Sequence, residues 1–269
     1  MDAENVVIIG AGPAGLAAAK QLKLYGIDPL VYECDQPGGL LLNAYSVINY
    51  PGVPEGISGK ELINKFELPS MLMFGEVTKV YRENHLYEIH SDCGDIRTLS
   101  VIIASGTMPK KIIVPGVEEN RVHYNVRNLH NCTGKSAAVI GGGDAALDYA
   151  MTLRLNMSCT VSIYARGDFS KVVPHLLKKV LLIPGITLCP ASLPKSSFSE
   201  EIIVVAAGRT PKVDFISENL LSSPPADGSF HLCGDCSNGI YRQTAIAVGN
   251  GVESAMKVAG YLKNVGIVK

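Results

Sequence analysis

The chain has no long hydrophobic run, no block of basic residues and almost no net charge. Its richest apolar stretch, residues 6–19, is interrupted by Gly10, Gly12, Pro13 and Gly15. That falls short of the ~20 apolar residues needed to cross a bilayer. A formal charge of -1 without a basic cluster speaks against nucleic acid as the main ligand. The start, Met1-Asp2-Ala3-Glu4-Asn5, lacks an apolar signal region, so export is not expected. Seven cysteines at scattered spacings point to reduced thiols and a cytoplasmic setting. The six histidines show no ligand spacing with each other or with cysteine, so no metal site is expected.

What is abundant is glycine, 27 residues in a chain that is 47% hydrophobic and 18% charged. The glycines mark an internal repeat. Residues 6–22, VVIIGAGPAGLAAAKQL, and residues 137–153, AAVIGGGDAALDYAMTL, align at an offset of 131. Each reads as an apolar strand, a tight glycine turn and a helix. A second pair of echoes, VIIASG at 101–106 and VVAAG at 204–208, reads as buried strands ending in turns, with Pro109 and Pro211 close behind. The chain therefore divides into a first unit of residues 1–108 and 212–269 and a second unit, 109–211, inserted into it.

Coarser signals fill the gaps. Leu30 to Glu33 and Thr160 to Tyr164 read as strands. Glu76 to Tyr81 and Leu86 to His90 read as a hairpin turning at Glu83-Asn84-His85. Helices are predicted over Lys60 to Glu67 (stopped by Pro69), Pro174 to Leu182 and Thr244 to Leu262, with Gly249 and Gly251 serving close packing in the last. Residues 189–199 read as an irregular connection.

A pyrophosphate needs backbone N–H groups and room for close approach, which Gly10, Gly12 and Gly15 supply after a strand and ahead of a helix N-terminus. Glu33 lies 23 residues beyond Gly10, where a carboxylate can accept both hydroxyls of an adenosine ribose. In the second cluster, Gly141, Gly143 and Ala146 keep the pattern. The position after its next strand holds Ala165-Arg166-Gly167 and no acid, which favours a 2′-phosphate and hence NADP over NAD. Two dinucleotide sites in one chain imply electron traffic between dinucleotides, most economically FAD in the first unit and a nicotinamide in the second.

On these residues the sequence resembles the low-molecular-weight thioredoxin reductases among the flavoproteins with two dinucleotide-binding domains. The likeness covers nearly the whole length, including GAGPAG at 10–15, Gly38-Gly39, Asn49-Tyr50-Pro51-Gly52, AGRTP at 207–211, Gly234-Asp235 and Ile240 to Ala245. It implies an α/β fold of two Rossmann-like domains of three-layer ββα type, the second inserted into the first, and a homodimer. It also implies FAD contacts at Pro13, Ala14, Gly39, Leu40, Asn49, Val77, Ala104, Gly106, Gly234, Asp235, Arg242, Gln243 and Thr244. Nicotinamide dinucleotide contacts are implied at Gly141, Gly143, Asp144, Ala145 and Arg166. No side chain is expected to act as a catalytic acid or base, because the cofactors carry the chemistry.

The family's Cys-x-x-Cys is missing. Asn125 and Asn128 stand where its sulfurs would be, and Cys132 is alone nearby. The run Tyr124-Asn125-Val126 and Gly141 to Ala150 instead resembles the thioredoxin-reductase-type ferredoxin/flavodoxin–NADP reductases, without their C-terminal extension. Leu40 replaces a glutamine frequent in the family. Electrons would then leave the flavin directly, to a ferredoxin, flavodoxin, quinone-like molecule or oxygen. The alternatives are a disulfide reductase using another pair, such as Cys233 and Cys236, and a non-catalytic nucleotide-binding module. Those two cysteines read as buried thiols. His123 and His130 read as surface or capping residues, and Asp148 as a helix-face charge.

Overall fold

A computed structural model describes residues 4–192 and 197–268. In chain order the elements begin with β1 (Glu4–Ile9), α1 (Pro13–Leu24), β2 (Leu30–Glu33), α2 (Gly59–Ile63) and β3 (Met71–Phe74). Next come β4 (Val77–Glu83), β5 (Leu86–Ser91), β6 (Gly94–Ile103), β7 (Thr107–Pro109) and β8 (Val122–His123). The second repeat follows as β9 (Ser136–Ile140), α3 (Asp144–Met151), β10 (Thr160–Tyr164), α4 (Pro174–Leu181), β11 (Ile186–Cys189) and β12 (Ile202–Val205). The chain closes with β13 (Arg209–Pro211), α5 (Glu218–Ser222), β14 (Phe230–Leu232) and α6 (Thr244–Asn264).

The first sheet is parallel in the order β3-β2-β1-β6-β14. Strand β6 is long enough to serve two partners. Its first half joins β5 and β4 as an antiparallel meander, and its second half, from Val101, pairs with β14. The β4–β5 hairpin turns through Asn84 and His85, both with positive φ, as a two-residue type I′ turn requires. Helices α1 and α6 bury Leu16, Leu22, Val258 and Leu262 on one face of the sheet. The meander buries Tyr87, Ile89 and Phe230 on the other. These are the three layers of a Rossmann-like unit.

The second sheet, β11-β10-β9-β12-β8, is parallel throughout. Strands β9 and β12 are buried on both faces, which is why they read as nearly unbroken apolar runs. Both crossings between the units belong to one structure: β7 and β13 pair antiparallel, with Pro109 opposite Arg209 and Pro211 opposite Thr107. The inserted arrangement read from the two glycine echoes is thus the observed topology. In each sheet the glycine cluster follows the central strand at the point where strand order reverses, β1 between β2 and β6, and β9 between β10 and β12. Open α/β sheets form ligand crevices at that point.

Four local readings need correction. The helix predicted over Lys60 to Glu67 ends at Ile63. Ser58 and Glu61 form a complete capping box at its start, but Lys65 and Phe66 then bond three residues back, tightening the chain so that Phe66 packs on the core. The MLMF run after it was not read as a strand, yet β3 pairs with β2 at the sheet edge. Ile186–Cys189 is likewise the edge strand of the second sheet, so the irregular connection starts later than expected; residues 193–196 of it lie outside the described residues. Finally, only one of the two glycines in α6 is a packing glycine. A Cβ on Gly251 would lie 2.1 Å from the Ala14 carbonyl oxygen, whereas one on Gly249 meets nothing within 4 Å. Among the described residues no helix is long and apolar enough to cross a membrane.

This difference makes a direct prediction. Gly251→Ala forces α1 and α6 apart and is expected to cost about 1–3 kcal/mol. Gly249→Ala, on an exposed helix face, is expected to gain up to about 1 kcal/mol. Urea unfolding of the two variants measures both, and equal effects would refute the assignment.

Candidate functional site

The first cradle is built by backbone approach. Gly10 takes φ 108° and leaves no room for a side chain, since a Cβ there would sit 2.4 Å from the Ala104 oxygen. Gly15 lies against the Gly10 carbonyl, where a Cβ would be at 1.9 Å. Gly12 differs: it caps α1 from an extended conformation, and a Cβ on it would meet nothing within 4 Å. Two glycines therefore pack and the third faces open space, with Pro13 as the first helical residue. The N-terminal end of α1 presents its unbonded N–H groups and partial positive charge at that opening.

Glu33, at the end of β2, is buried. Its carboxylate accepts from the Ala11 N–H at 2.8 Å and the Asp35 N–H at 2.9 Å. The Cys34 thiol adds a weak third donor at 3.8 Å, and the fourth lone-pair site leaves capacity for a further donor such as a ribose hydroxyl. The Gly38-Gly39 turn folds back over the cradle. Gly38 N–H donates to the Ala11 carbonyl, and a Cβ on Gly39 would be 3.3 Å from Gly12 Cα. Leu40 follows in the same turn, half-buried. Val77 is buried in the cluster that contains Tyr32, at the irregular start of β4.

The other wall comes from the returning chain. Gly234, at φ 69°, packs on Ala14, which places Asp235 beside the first cradle. Burial pushes the Asp235 carboxyl up, against the pull of Arg242 and Arg209. Arg209 donates to the Thr107 carbonyl at 2.7 Å and its hydroxyl at 2.8 Å. Arg242 donates to the Arg209 carbonyl at 3.2 Å, and its Nε is buried without a partner among the described residues. Asn49 donates to Gln243, the N-cap of α6, at 2.8 Å, which brings together two segments 194 residues apart. Gly106, at φ 66°, has open space around it.

In the second cradle, Gly141 meets the Ala206 carbonyl as Gly10 meets Ala104, and Gly143 is open as Gly12 is. Arg166 is exposed beyond β10, and its neighbour Ala165 lies against Gly142. Asp144 is already engaged, accepting from the Val173 N–H at 2.9 Å, so it links α3 to the start of α4. Ala145 is exposed in the first turn of α3.

Three readings change. Asp148 is not a helix-face charge: it accepts the Tyr45 N–H at 2.9 Å and so joins the two units. Burial lifts its pKa to about 6, with the Tyr45 and Ser46 N–H groups and Lys179 opposing. Cys132 is not alone. It is buried beside Cys159, whose thiol donates to the Cys132 carbonyl at 3.1 Å. Of the two histidines read as surface or capping residues, His130 is exposed, whereas His123 is half-buried in β8 and burial lowers its pKa. The thiols of Cys233 and Cys236 are buried and pushed up in pKa by that burial, as their reading as packing residues requires. The sequence reading missed Asn43, whose buried amide oxygen accepts from the Val126 and Arg127 N–H groups at 3.2 and 3.3 Å. A lone Asn in a Leu-rich segment carries no signal of this. Among the described residues no His, Cys, Asp or Glu cluster suits a metal ion.

Two glycine turns, each ahead of a helix N-terminus and at the strand-order reversal of its sheet, give the arrangement in which open α/β folds hold nucleotides. The pyridine nucleotide-disulphide oxidoreductase family model matches residues 4–182, and the chain belongs to that family. Its relatives include the thioredoxin reductase of Borreliella burgdorferi, 27% identical over 97% of this chain and 92% of that protein. The ferredoxin–NADP reductase of Ignicoccus hospitalis is 29% identical over 73% of this chain and 67% of that protein. Among solved structures, Lactococcus lactis thioredoxin reductase in its FR conformation matches with a TM-score of 0.85 at 25% identity, over 97% of this chain and 99% of that one.

Asp148 makes its own prediction. Its folded pKa of about 6 exceeds the ordinary 3.8, so the folded protein holds an extra proton between those values. The associated stability is full below about pH 4 and is lost as pH rises through about 6, a change of about 3 kcal/mol. Asp148→Asn, which cannot ionise, should flatten this part of the profile. Thermal unfolding from pH 4 to 7 reads it, and parallel profiles for the two proteins would contradict it.

Proposed function

We propose that the protein is an FAD-dependent oxidoreductase that takes hydride from NADPH and passes electrons from the flavin directly to an acceptor. The unit of residues 1–108 and 212–269 would hold FAD, and the unit of residues 109–211 would hold NADPH. The observation that carries this reading is the pair of open glycines, Gly12 and Gly143, each at the N-terminal end of a helix whose other glycines are used up in packing. When bound, the flavin and the nicotinamide supply the hydride chemistry themselves.

The chain's residues then bind and orient. Gly10, Gly12, Pro13, Ala14 and Gly15 cradle the FAD diphosphate. Glu33 has acceptor capacity for the adenosine ribose. Asp235 lies where a half-buried carboxyl can accept from the ribityl chain. Gln243 and Thr244, at the start of the 21-residue α6, with Asn49 bonded to Gln243, would bring a partial positive charge to the flavin's pyrimidine edge. Gly141, Gly143 and Ala145 form the second diphosphate cradle, and Arg166 provides the cation for a 2′-phosphate.

The route out of the flavin follows from the side chains at the family's dithiol position. Asn125 and Asn128 cannot carry electrons. The Cys233-Cys236 pair is buried and held in the thiol form, which removes its nucleophilicity. A ferredoxin, a flavodoxin, a quinone-like molecule or oxygen fits direct transfer. The relatives include both a thioredoxin reductase and a ferredoxin–NADP reductase, and the amides favour the second type of exit. The homodimer implied by the family is part of the same proposal and is read by light scattering.

Anaerobic addition of NADPH to the FAD-loaded protein should bleach the flavin's visible band; an unbleached band would remove the enzymatic reading. Arg166→Ala should raise the KM for NADPH about tenfold, the scale of one lost charge-assisted contact, and leave NADH nearly unchanged. The doubly substituted Cys233→Ser, Cys236→Ser protein should reduce its acceptor at the normal rate. A loss of that rate would return the thiols to the pathway.

A further inference from the structure

Arg127 of the inserted unit reaches the loop that roofs the first cradle. Arg127, on the segment before β9, is largely withdrawn from water, with 15% of its side chain exposed. Its guanidinium pairs with the carboxylate of Asp35 and donates to the Gly39 carbonyl at 3.3 Å. Its Nε is buried with no partner among the described residues. Burying a cation in this way is costly unless its partners are well placed, and both partners lie in the loop that roofs the first cradle. Asp35 is bonded through its N–H to Glu33, the ribose-facing acid. A Cβ on Gly39 would lie 3.3 Å from the Cα of the open Gly12. The backbone of Arg127 is in turn fixed by Asn43 of that same loop.

We propose that Arg127 is a positioning residue for the first dinucleotide. The inserted unit reaches across and ties down the roof of the first cradle, so FAD retention depends on a residue outside the unit that binds it. This inference rests on the reading that FAD occupies the first cradle. A guanidinium suits the task because its fork addresses a carboxylate and a carbonyl at once, which a lysine ammonium on a single flexible stem does not.

The test is FAD affinity, measured by absorbance and fluorescence titration of the FAD-depleted full chain. Arg127→Ala should weaken FAD binding about tenfold, the scale of charged hydrogen bonds lost from a part-buried site. Arg127→Lys should recover part of that loss. Asp35→Asn, at the more exposed end of the pair, should weaken binding in the same direction and serves should Arg127→Ala not fold. The combination of Arg127→Asp with Asp35→Arg should bind FAD more tightly than either charge change alone, which a purely structural role would not produce. Unchanged FAD affinity in Arg127→Ala or Asp35→Asn, or a charge swap no better than its single changes, overturns the proposal while leaving the FAD reading intact. Failure of the unsubstituted protein to bind FAD overturns both.

Discussion

The contact between Gly15 and the carbonyl of Gly10 determines how the first unit can be built. A strand and a helix that follow one another this tightly need a helical residue without a side chain at the crossing, and any Cβ would penetrate the peptide oxygen. Gly251 makes a comparable approach from α6 onto the Ala14 carbonyl. With these contacts made, α1 is held against both the sheet and α6, and its N-terminal end can point only at the crevice beside β1. The direction of the helix dipole, and with it the preference for an anion at that place, follows from sterics before any charged residue enters.

The inserted unit repeats the solution with different detail. Gly141 takes the place of Gly10, and Ala146 is tolerated where the first unit needs Gly15. A fully buried Ala146 shows that the second crossing is looser by about a methyl group. The charged equipment differs too. The first cradle has an acid held by two backbone N–H groups at the end of its second strand. The second has an exposed arginine there. The same frame thus carries opposite charges at the two corresponding positions.

Much of this was legible in the order of residues. The repeat at 6–22 and 137–153 has the strand-turn-helix form because glycine, β-branched and alanine residues each have narrow backbone uses, and the structure follows it closely. Strands β2 and β10 begin and end where the apolar runs do. The edge strands β3 and β11 escaped because an edge strand is only partly buried and need not alternate. The short α2 was over-extended because the capping signal at Ser58 and Glu61 says where a helix starts and nothing about where the core will bend it. At the site, the two glycine turns and the acid at the end of β2 were readable, whereas the bond between Asn49 and Gln243 was not. Asn43, Arg127 and Asp148 were not, since each acts across the boundary between units, and their partners lie 82 to 103 residues away in sequence.

The β7–β13 ribbon carries a consequence for how such a chain can change over time. Entry and exit of the inserted unit face each other across a single antiparallel ladder, Pro109 opposite Arg209, so its two ends are about 5 Å apart. A short reverse turn closing that ladder would excise the whole insert while keeping β6, β14 and α6 in register. Conversely, any compact module with neighbouring termini could be received there. The parent sheet takes no register from what is spliced between its two rails; what ties the present insert to it are the bonds of Asn43, Arg127 and Asp148.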